Sequence, residues 1–159
     1  MVAIYRQVDL QPSVGEMPLH QLSVFVENKP GCMARVLAAL ENGFRVFALS
    51  IAEAGEFGLI RLIVSEPEKA ADKLESAGFH LAKARKNVEV VGVLLTNEMK
   101  LSKIAKHLSD NAINIDYTYC TSSFIDGCLA LILRTDDPKR AEEILASNGA
   151  RILTRDDLS

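Results

Sequence analysis

Apolar residues recur along this chain in two alternating periods, and the alternation spells out its elements. Leu22 to Val26 reads as a strand, and Asn28-Lys29-Pro30-Gly31 breaks it with turn-forming residues. Met33, Val36, Leu37 and Leu40 then stand three and four apart, the apolar stripe of an amphipathic helix that ends near Asn42-Gly43. Phe44 to Ala52 is a β-rich run, Gly55-Glu56-Phe57-Gly58 a hairpin connection, and Leu59 to Val64 the returning strand. Pro67 opens a second helix, because its missing N–H costs nothing in a first turn, and Gly78 closes it as a left-handed cap. Phe79 to Ala84 completes the unit as a short strand. The order is βαββαβ, which predicts a ferredoxin-like α+β fold: an antiparallel sheet with two helices on one face.

The pattern then occurs again. Pro67, Ala70, Leu74 and Gly78 are matched by Pro138, Ala141, Leu145 and Gly149 at a constant offset of 71 residues (138 − 67). Upstream, Val24 to Asn28 answers Val93 to Asn97, and Gly43 to Val46 answers Ala112 to Ile115, at an offset of 69 (97 − 28). The drift in offset marks short loop insertions between equivalent elements. A unit of about 70 residues can hold its own two-layer core, so the sequence predicts two tandem domains of one kind rather than a solenoid. Val88 to Leu95, Leu101 to Leu108, Ile113 to Thr121, Leu129 to Arg134, Pro138 to Ser147 and Ile152-Leu153 are the six expected elements of the second. The expected boundaries are residues 1–18 for an N-terminal extension, 19–86 for the first domain and 87–159 for the second.

Only Arg85 to Asn87 separate the repeats, too few for a flexible tether, so the sheets are expected to sit close and bury a joint interface. The strand over Phe47, Leu49 and Ile51, beside Val46 and Ala48, leaves neither sheet face polar, so something must cover the second face.

Composition narrows the function classes. With 48% hydrophobic and 25% charged residues over 159 positions, the chain can bury a real core and is not disordered. A formal charge of −3 and a pI near 5.6 argue against nucleic-acid binding, which relies on a basic face. The small groups Lys83 with Arg85-Lys86 and Lys100, Lys103 and Lys106 read as solvated surface. No apolar run reaches the roughly 18 residues of a membrane span, and the segment up to Gly15 lacks the apolar centre of a secretory signal, which predicts a cytoplasmic protein. Cys32, Cys120 and Cys128 are odd in number and show no CxxC spacing, as expected of free thiols. Cys120 and Cys128 are placed to face each other across a hairpin.

The segment Val24 to Leu40, written VFVENKPGCMARVLAAL, resembles the ACT domain, a small-molecule regulatory module whose first strand and helix are joined by an Asn-x-Pro-Gly turn. The strand after Gly43 and the Pro-started second helix fit the same family, and two such modules cover roughly Leu19 to Leu153. The resemblance implies two tandem ferredoxin-like, ACT-like domains, an amino acid bound at an interface between paired modules, a homodimer, and a sensor rather than a catalyst. It implies ligand contacts at Asn28, Lys29, Pro30, Gly31, Cys32 and Met33.

Chemistry supports that turn independently. A free amino acid carries a carboxylate, and a helix N-terminus offers unpaired N–H groups and a partial positive charge. Gly31 permits close approach, Asn28 presents both an amide donor and a carbonyl acceptor, and the amides of Cys32 and Met33 are further donors. Read from the residues alone, the same turn is foremost a good helix start in which Asn28 satisfies local backbone, and it is the resemblance that favours the ligand reading. The second repeat carries Glu98-Met99-Lys100 where the first has Lys29-Pro30-Gly31, so no matching site is expected there. Asn114 lies where ACT modules reach across to a neighbour's ligand, and is also an ordinary turn residue starting a strand. Met33, Ile51 and Tyr119 are candidates for apolar selectivity, and Glu53 and Glu56 for meeting an ammonium.

Other chemistry is not signalled. The sequence holds no GxGxxG, GxxxxGK[ST], HExxH or GxSxG, and His20, His80 and His107 are scattered, so no cofactor, metal or catalytic set is expected. Cys32 at a helix start has no recognisable His partner. Asp136-Asp137 read as a cap for the next helix, and Glu142-Glu143 and Asp156-Asp157 as surface charge. The expected function is a non-catalytic regulatory protein binding an amino acid-type ligand. The alternative is the regulatory small subunit of a biosynthetic enzyme such as acetolactate synthase, whose opening strand–helix segment is similar.

Overall fold

The first apolar run becomes β1, Leu19–Glu27, and the rest of the sheet is assembled around it. In the computed structural model, which describes residues 17–82 and 88–159, it is followed by α1 (Cys32–Leu40), β2 (Val46–Ala54), β3 (Phe57–Val64), α2 (Pro67–Ser76) and β4 (His80–Leu81). The second repeat contributes β5 (Val88–Leu94), α3 (Leu101–Asp110), β6 (Ile115–Cys120), β7 (Ala130–Thr135) and α4 (Pro138–Ser147), then a 3-10 turn at Arg155–Leu158. The α+β class and the βαββ order of each repeat are as the pattern predicts. The connector expected at Arg85 to Asn87, the end of the strand expected at Phe79 to Ala84, and nearly all of the expected N-terminal extension lie outside the described residues. Among the described residues no helix is long and apolar enough to cross a membrane.

Pairing is antiparallel and follows the path β2-β3-β1-β5-β7-β6. One edge of β1 runs along β3 from Leu22↔Leu62 to Glu27↔Phe57. Its other edge is divided: Leu19, His20 and Gln21 pair with β5, and Val24 and Phe25 with β4. β5 is divided in the same way, with Val88 to Val90 on β1 and Val93 bridged to Ile152. The expected four-stranded sheets are therefore truncated at their closing strands. β4 has two residues, and the strand expected at Ile152-Leu153 is a single bridge, because each repeat has given the start of its first strand to the other.

Alternation along the strands then loads both faces. Leu22, Val24, Ile60 and Leu62 pack on Val36, Leu40, Ala70 and Leu74 of α1 and α2. Val91, Val93, Leu131 and Leu133 pack in the same way on Ile104, Leu108, Ala141 and Leu145 of α3 and α4. The opposite faces meet each other in a third core that includes Leu19, Phe47, Ile63, Val90, Ile132 and Leu153. The two ends of the strand path are joined by the bridge Ala48↔Thr121, and the Ser122 amide donates to the Phe47 carbonyl at 2.8 Å. What covers each second sheet face is the other repeat. Gly92 permits this closeness, since a Cβ there would stand 2.7 Å from Leu19 Cδ1 and 3.1 Å from Leu153 Cβ.

Polar groups enter this interface in one place. Gln21 is fully buried; its Nε2 donates to Ser23 Oγ at 3.2 Å and to Tyr117 Oη at 2.7 Å, and its Oε1 accepts from the Tyr119 hydroxyl at 2.7 Å. All four functional positions of the amide except one lone pair are used, so the buried group is well compensated. Burial, with a smaller contribution from neighbouring Tyr117, holds the Tyr119 phenol well above its ordinary range against the opposing pull of Arg61.

Smaller expectations are corrected. Cys120 pairs with Leu131 and Cys128 with Ile125, so the two thiols do not face each other, and all three cysteines are free. Asp137 caps α4 by accepting from the Arg140 amide at 3.1 Å, whereas Asp136 accepts from the Asn114 amide at 3.0 Å. Asp157 is not simply surface charge: it accepts from the Thr154 amide and from Arg151, both at 2.7 Å.

Replacing Gln21→Leu strands the Tyr119 hydroxyl and is expected to cost about 1–3 kcal/mol in urea unfolding, while adding Tyr119→Phe recovers part of that loss. Because the folded Tyr119 stays protonated where the unfolded phenol ionises, its contribution is complete below roughly pH 10 and is lost as pH rises further. Unfolding midpoints of Tyr119→Phe measured from pH 8 to 11 should fall less steeply than those of the native protein.

Candidate functional site

The turn between β1 and α1 is built by backbone geometry. Gly31, the residue before the helix, has φ 89°, a left-handed conformation that side chains resist. A Cβ there would meet nothing within 4 Å, so the glycine is required by its backbone angle and not by crowding. Asn28 ties the turn to the tip of the β2–β3 hairpin: its amide donates to the Glu56 carbonyl at 2.8 Å and its Nδ2 to the Gly55 carbonyl at 3.0 Å. Lys29 pairs with Glu27 in an exposed ion pair whose hydrogen bond and charge raise the lysine and lower the carboxyl.

At the helix start the Cys32 amide reaches the Lys29 carbonyl only at 3.4 Å, and the Arg35 amide donates to the Gly31 carbonyl at 3.0 Å. Among the described residues the amides of Met33 and Ala34 have no acceptor, as a helix N-terminus requires. These residues border an open cleft of about 270 Å³. Val26 and Gly58 floor it, Met33 and Ile51 stand on opposite sides, 40% and 54% exposed, and Glu53 lies on the rim. A Cβ on Gly58 would approach Val26 Cγ2 to 3.3 Å and Ile51 Cγ1 to 4.0 Å, so a larger side chain there would grow into the cleft.

The sequence-predicted residues divide accordingly. Asn28, Lys29, Gly31, Cys32 and Met33 line the cleft together, with Pro30 shaping the turn beside them. Asn114 does not line it. That residue immediately precedes β6; its Nδ2 donates to Asp116 Oδ1 at 2.9 Å, and its backbone amide donates to Asp136. Tyr119 is likewise elsewhere, held by Gln21 between the sheets. Of the two hairpin acids, Glu53 reaches the rim, and Glu56 contributes its backbone carbonyl to Asn28. Val26 and Gly58 are additions; Gly58, read from the sequence as part of the hairpin connection, lies inside β3, where a strand glycine marks close approach.

Cys32 is 7% exposed and belongs to the helix-side core. It also borders a second hollow of about 140 Å³ behind the turn, as do Arg35, Phe79 and His80, yet no hydrogen bond joins its thiol to the imidazole. No group of three or more His, Cys, Asp or Glu among the described residues could hold a metal.

The second repeat builds the equivalent turn differently. Met99, which stands where the first repeat has Pro30, is 3% exposed and packs into the core under α3 and α4. Its amide donates to Thr96 Oγ1 at 2.9 Å, and the Thr96 amide donates back to the Met99 carbonyl at 3.2 Å. One turn borders an open cleft; the other turns a side chain into its own core.

Comparison with known proteins agrees with this architecture. The family model of the ACT domain pair matches residues 17–159. A solved protein from Bacteroides thetaiotaomicron is 30% identical, with a TM-score of 0.77 over 89% of this chain and 96% of that one. The ligand-free regulatory subunit of aspartate kinase from Thermus thermophilus is 14% identical with a TM-score of 0.57, covering 84% of this chain and 95% of that one, a likeness of fold. The small subunit of acetolactate synthase from Thermotoga maritima is 15% identical over 84% of this chain and 91% of that one, and its TM-score of 0.38 is too low to argue from. No curated protein matches the sequence.

Two substitutions separate the roles of the two turns. Gly31→Ala should cost about 1–2 kcal/mol through backbone strain alone, whereas Met99→Ala should cost about 2–5 kcal/mol by opening a cavity in the second core. Denaturant midpoints for the pair would read both.

Proposed function

The chain belongs to the family of ACT domain pairs, and from that premise we propose that it is a non-catalytic regulatory protein that binds one small amino acid in the cleft beside the first turn of α1. The observation that carries this reading is the pair of unpaired amides, Met33 and Ala34, at the border of a cleft with an acid on its rim. A zwitterion's carboxylate takes the helix N-terminus, where N–H groups and the helix dipole favour negative charge, and its ammonium takes Glu53. Met33 and Ile51 give its side chain an apolar wall. A volume near the lower end for small-molecule sites suits an amino acid better than a nucleotide.

The half-exposed Met33 and Ile51 leave one side of the cleft unsheltered, which supports a homodimer whose second copy completes it. Asn114 of that copy is a candidate to reach the ligand. Regulation then follows from linkage: the ligand favours whichever arrangement of the modules binds it better, by no more than that difference in affinity. Free thiols throughout fit action in the cytoplasm.

A second reading, the regulatory subunit of a biosynthetic enzyme, is favoured by Phe124, 73% exposed on the β6–β7 connection, an aromatic of the kind a partner buries. Copurification of a larger chain, lost on Phe124→Asp, would select it.

A thermal-shift screen of the common amino acids tests the primary proposal, since a ligand at 100 times its Kd adds about 2.7 kcal/mol to the native state. One amino acid should raise the melting temperature by several degrees, and Gly58→Leu, which fills the cleft floor, should abolish the rise. An equal rise in the Gly58→Leu protein would place the ligand elsewhere.

A further inference from the structure

On the inner face of the first sheet, the register sets Ser23, Arg61 and Ser50 in one row across β1, β3 and β2. The facing strand β6 brings up Tyr117, whose ring lies 3.7 Å from the Arg61 guanidinium carbon. The row holds an excess of donors. Ser23 Oγ and Tyr117 Oη both accept from the Gln21 amide, so each keeps its own hydroxyl proton to give. Among the described residues neither proton has an acceptor, nor does the Ser50 hydroxyl or any guanidinium N–H of Arg61, and no carboxylate pairs with this arginine.

Gln21 cannot relieve the whole surplus, because one lone pair of its oxygen is taken by Tyr119 and only one remains. Arg61 and Tyr117 are partly buried, and Ser23 is 2% exposed. The next row outward on the same face is Phe25, Leu59 and Ala52, with Phe25 50% exposed. The face therefore grades from a part-buried row rich in donors to a more exposed apolar row.

We propose that this donor row, where β6 meets the first sheet, is a second ligand site, distinct from the cleft at α1, which takes a small monocarboxylate with an apolar body. A carboxylate offers only acceptors and is planar, so it matches the guanidinium fork in two parallel hydrogen bonds while the free hydroxyls satisfy its remaining lone pairs. One arginine neutralises one negative charge, which selects a carboxylate over a divalent phosphate. With the carboxylate inward, the hydrocarbon body lies on the Phe25–Leu59 row and removes that half-exposed surface from water. The Tyr117 ring fixes the guanidinium from its face, leaving the edge that carries the N–H groups for the ligand.

Isothermal titration of the full chain with 3-methylbutanoate, acetate and inorganic phosphate tests the assignment. Binding of 3-methylbutanoate is expected to be at least tenfold tighter than that of acetate or phosphate, to weaken at least tenfold in Arg61→Gln, and to be unchanged in Gly58→Leu. Arg61→Lys keeps the charge without the fork and is expected to bind severalfold more weakly, which provides a reading if Arg61→Gln does not fold. Absence of binding to the native protein, unchanged affinity in Arg61→Lys, tighter binding of phosphate, or loss of binding in Gly58→Leu would each overturn the proposal. The last of these would assign the ligand to the first cleft, whereas failure of the amino acid screen leaves the Arg61 result standing.

Discussion

Each repeat lends the first three residues of its leading strand to the other, and that exchange governs the rest of the molecule. Leu19 to Gln21 and Val88 to Val90 satisfy one another's backbone groups, so neither repeat can complete its own sheet. The closing strands shrink to β4 and to a single bridge at Ile152. In return the inner faces are pressed together, with Gly92 leaving room for Leu19 and Leu153. A ferredoxin-like unit with one bare sheet face would expose an apolar surface; here two such faces cover each other, and the bridge between β2 and β6 closes the far side.

Burying two sheet faces against each other restricts where polar atoms can go. Gln21 is the point at which this interface tolerates them, because a primary amide serves two acceptors and one donor at once. The same saturation that stabilises Tyr119 leaves Ser23 and Tyr117 with protons to donate. Structural satisfaction on one side of the amide thus creates a donor-rich surface on the other, next to Arg61. An apolar residue in place of Gln21 would add the Tyr119 hydroxyl to that surplus, because its acceptor would be gone.

Duplication supplied two equivalent turns, and side-chain volume differentiates them. Pro30 and Gly31 direct the chain into α1 while leaving the helix end open, whereas Met99 packs its side chain into the core under α3 and α4. The scaffold is thereby symmetric in topology and asymmetric in chemistry. Such asymmetry suits a protein in which one repeat holds a ligand and the other provides a rigid support.

The repeat, the βαββ order and the helix limits were legible because they depend on local periods and on Pro and Gly at fixed places; α4 begins at Pro138 and ends at Ser147 where the pattern puts it. The turn at Asn28 to Gly31 was legible for the same reason, and so was the departure from it in the second repeat, where Met99 and Lys100 stand in place of a proline and a glycine. Strand pairing between repeats was not legible. Whether Leu19 pairs within its own unit or with Val90 depends on which edge is free after folding, and nothing local to either strand records it. The remoteness of Asn114 from the cleft and the meeting of Gln21 with two tyrosines more than ninety residues away are consequences of how the repeats come together. Local sequence determined the pieces and one open helix end; the tertiary structure decided which faces meet, because contact between distant strands is set by register and packing rather than by the residues next to them in the chain.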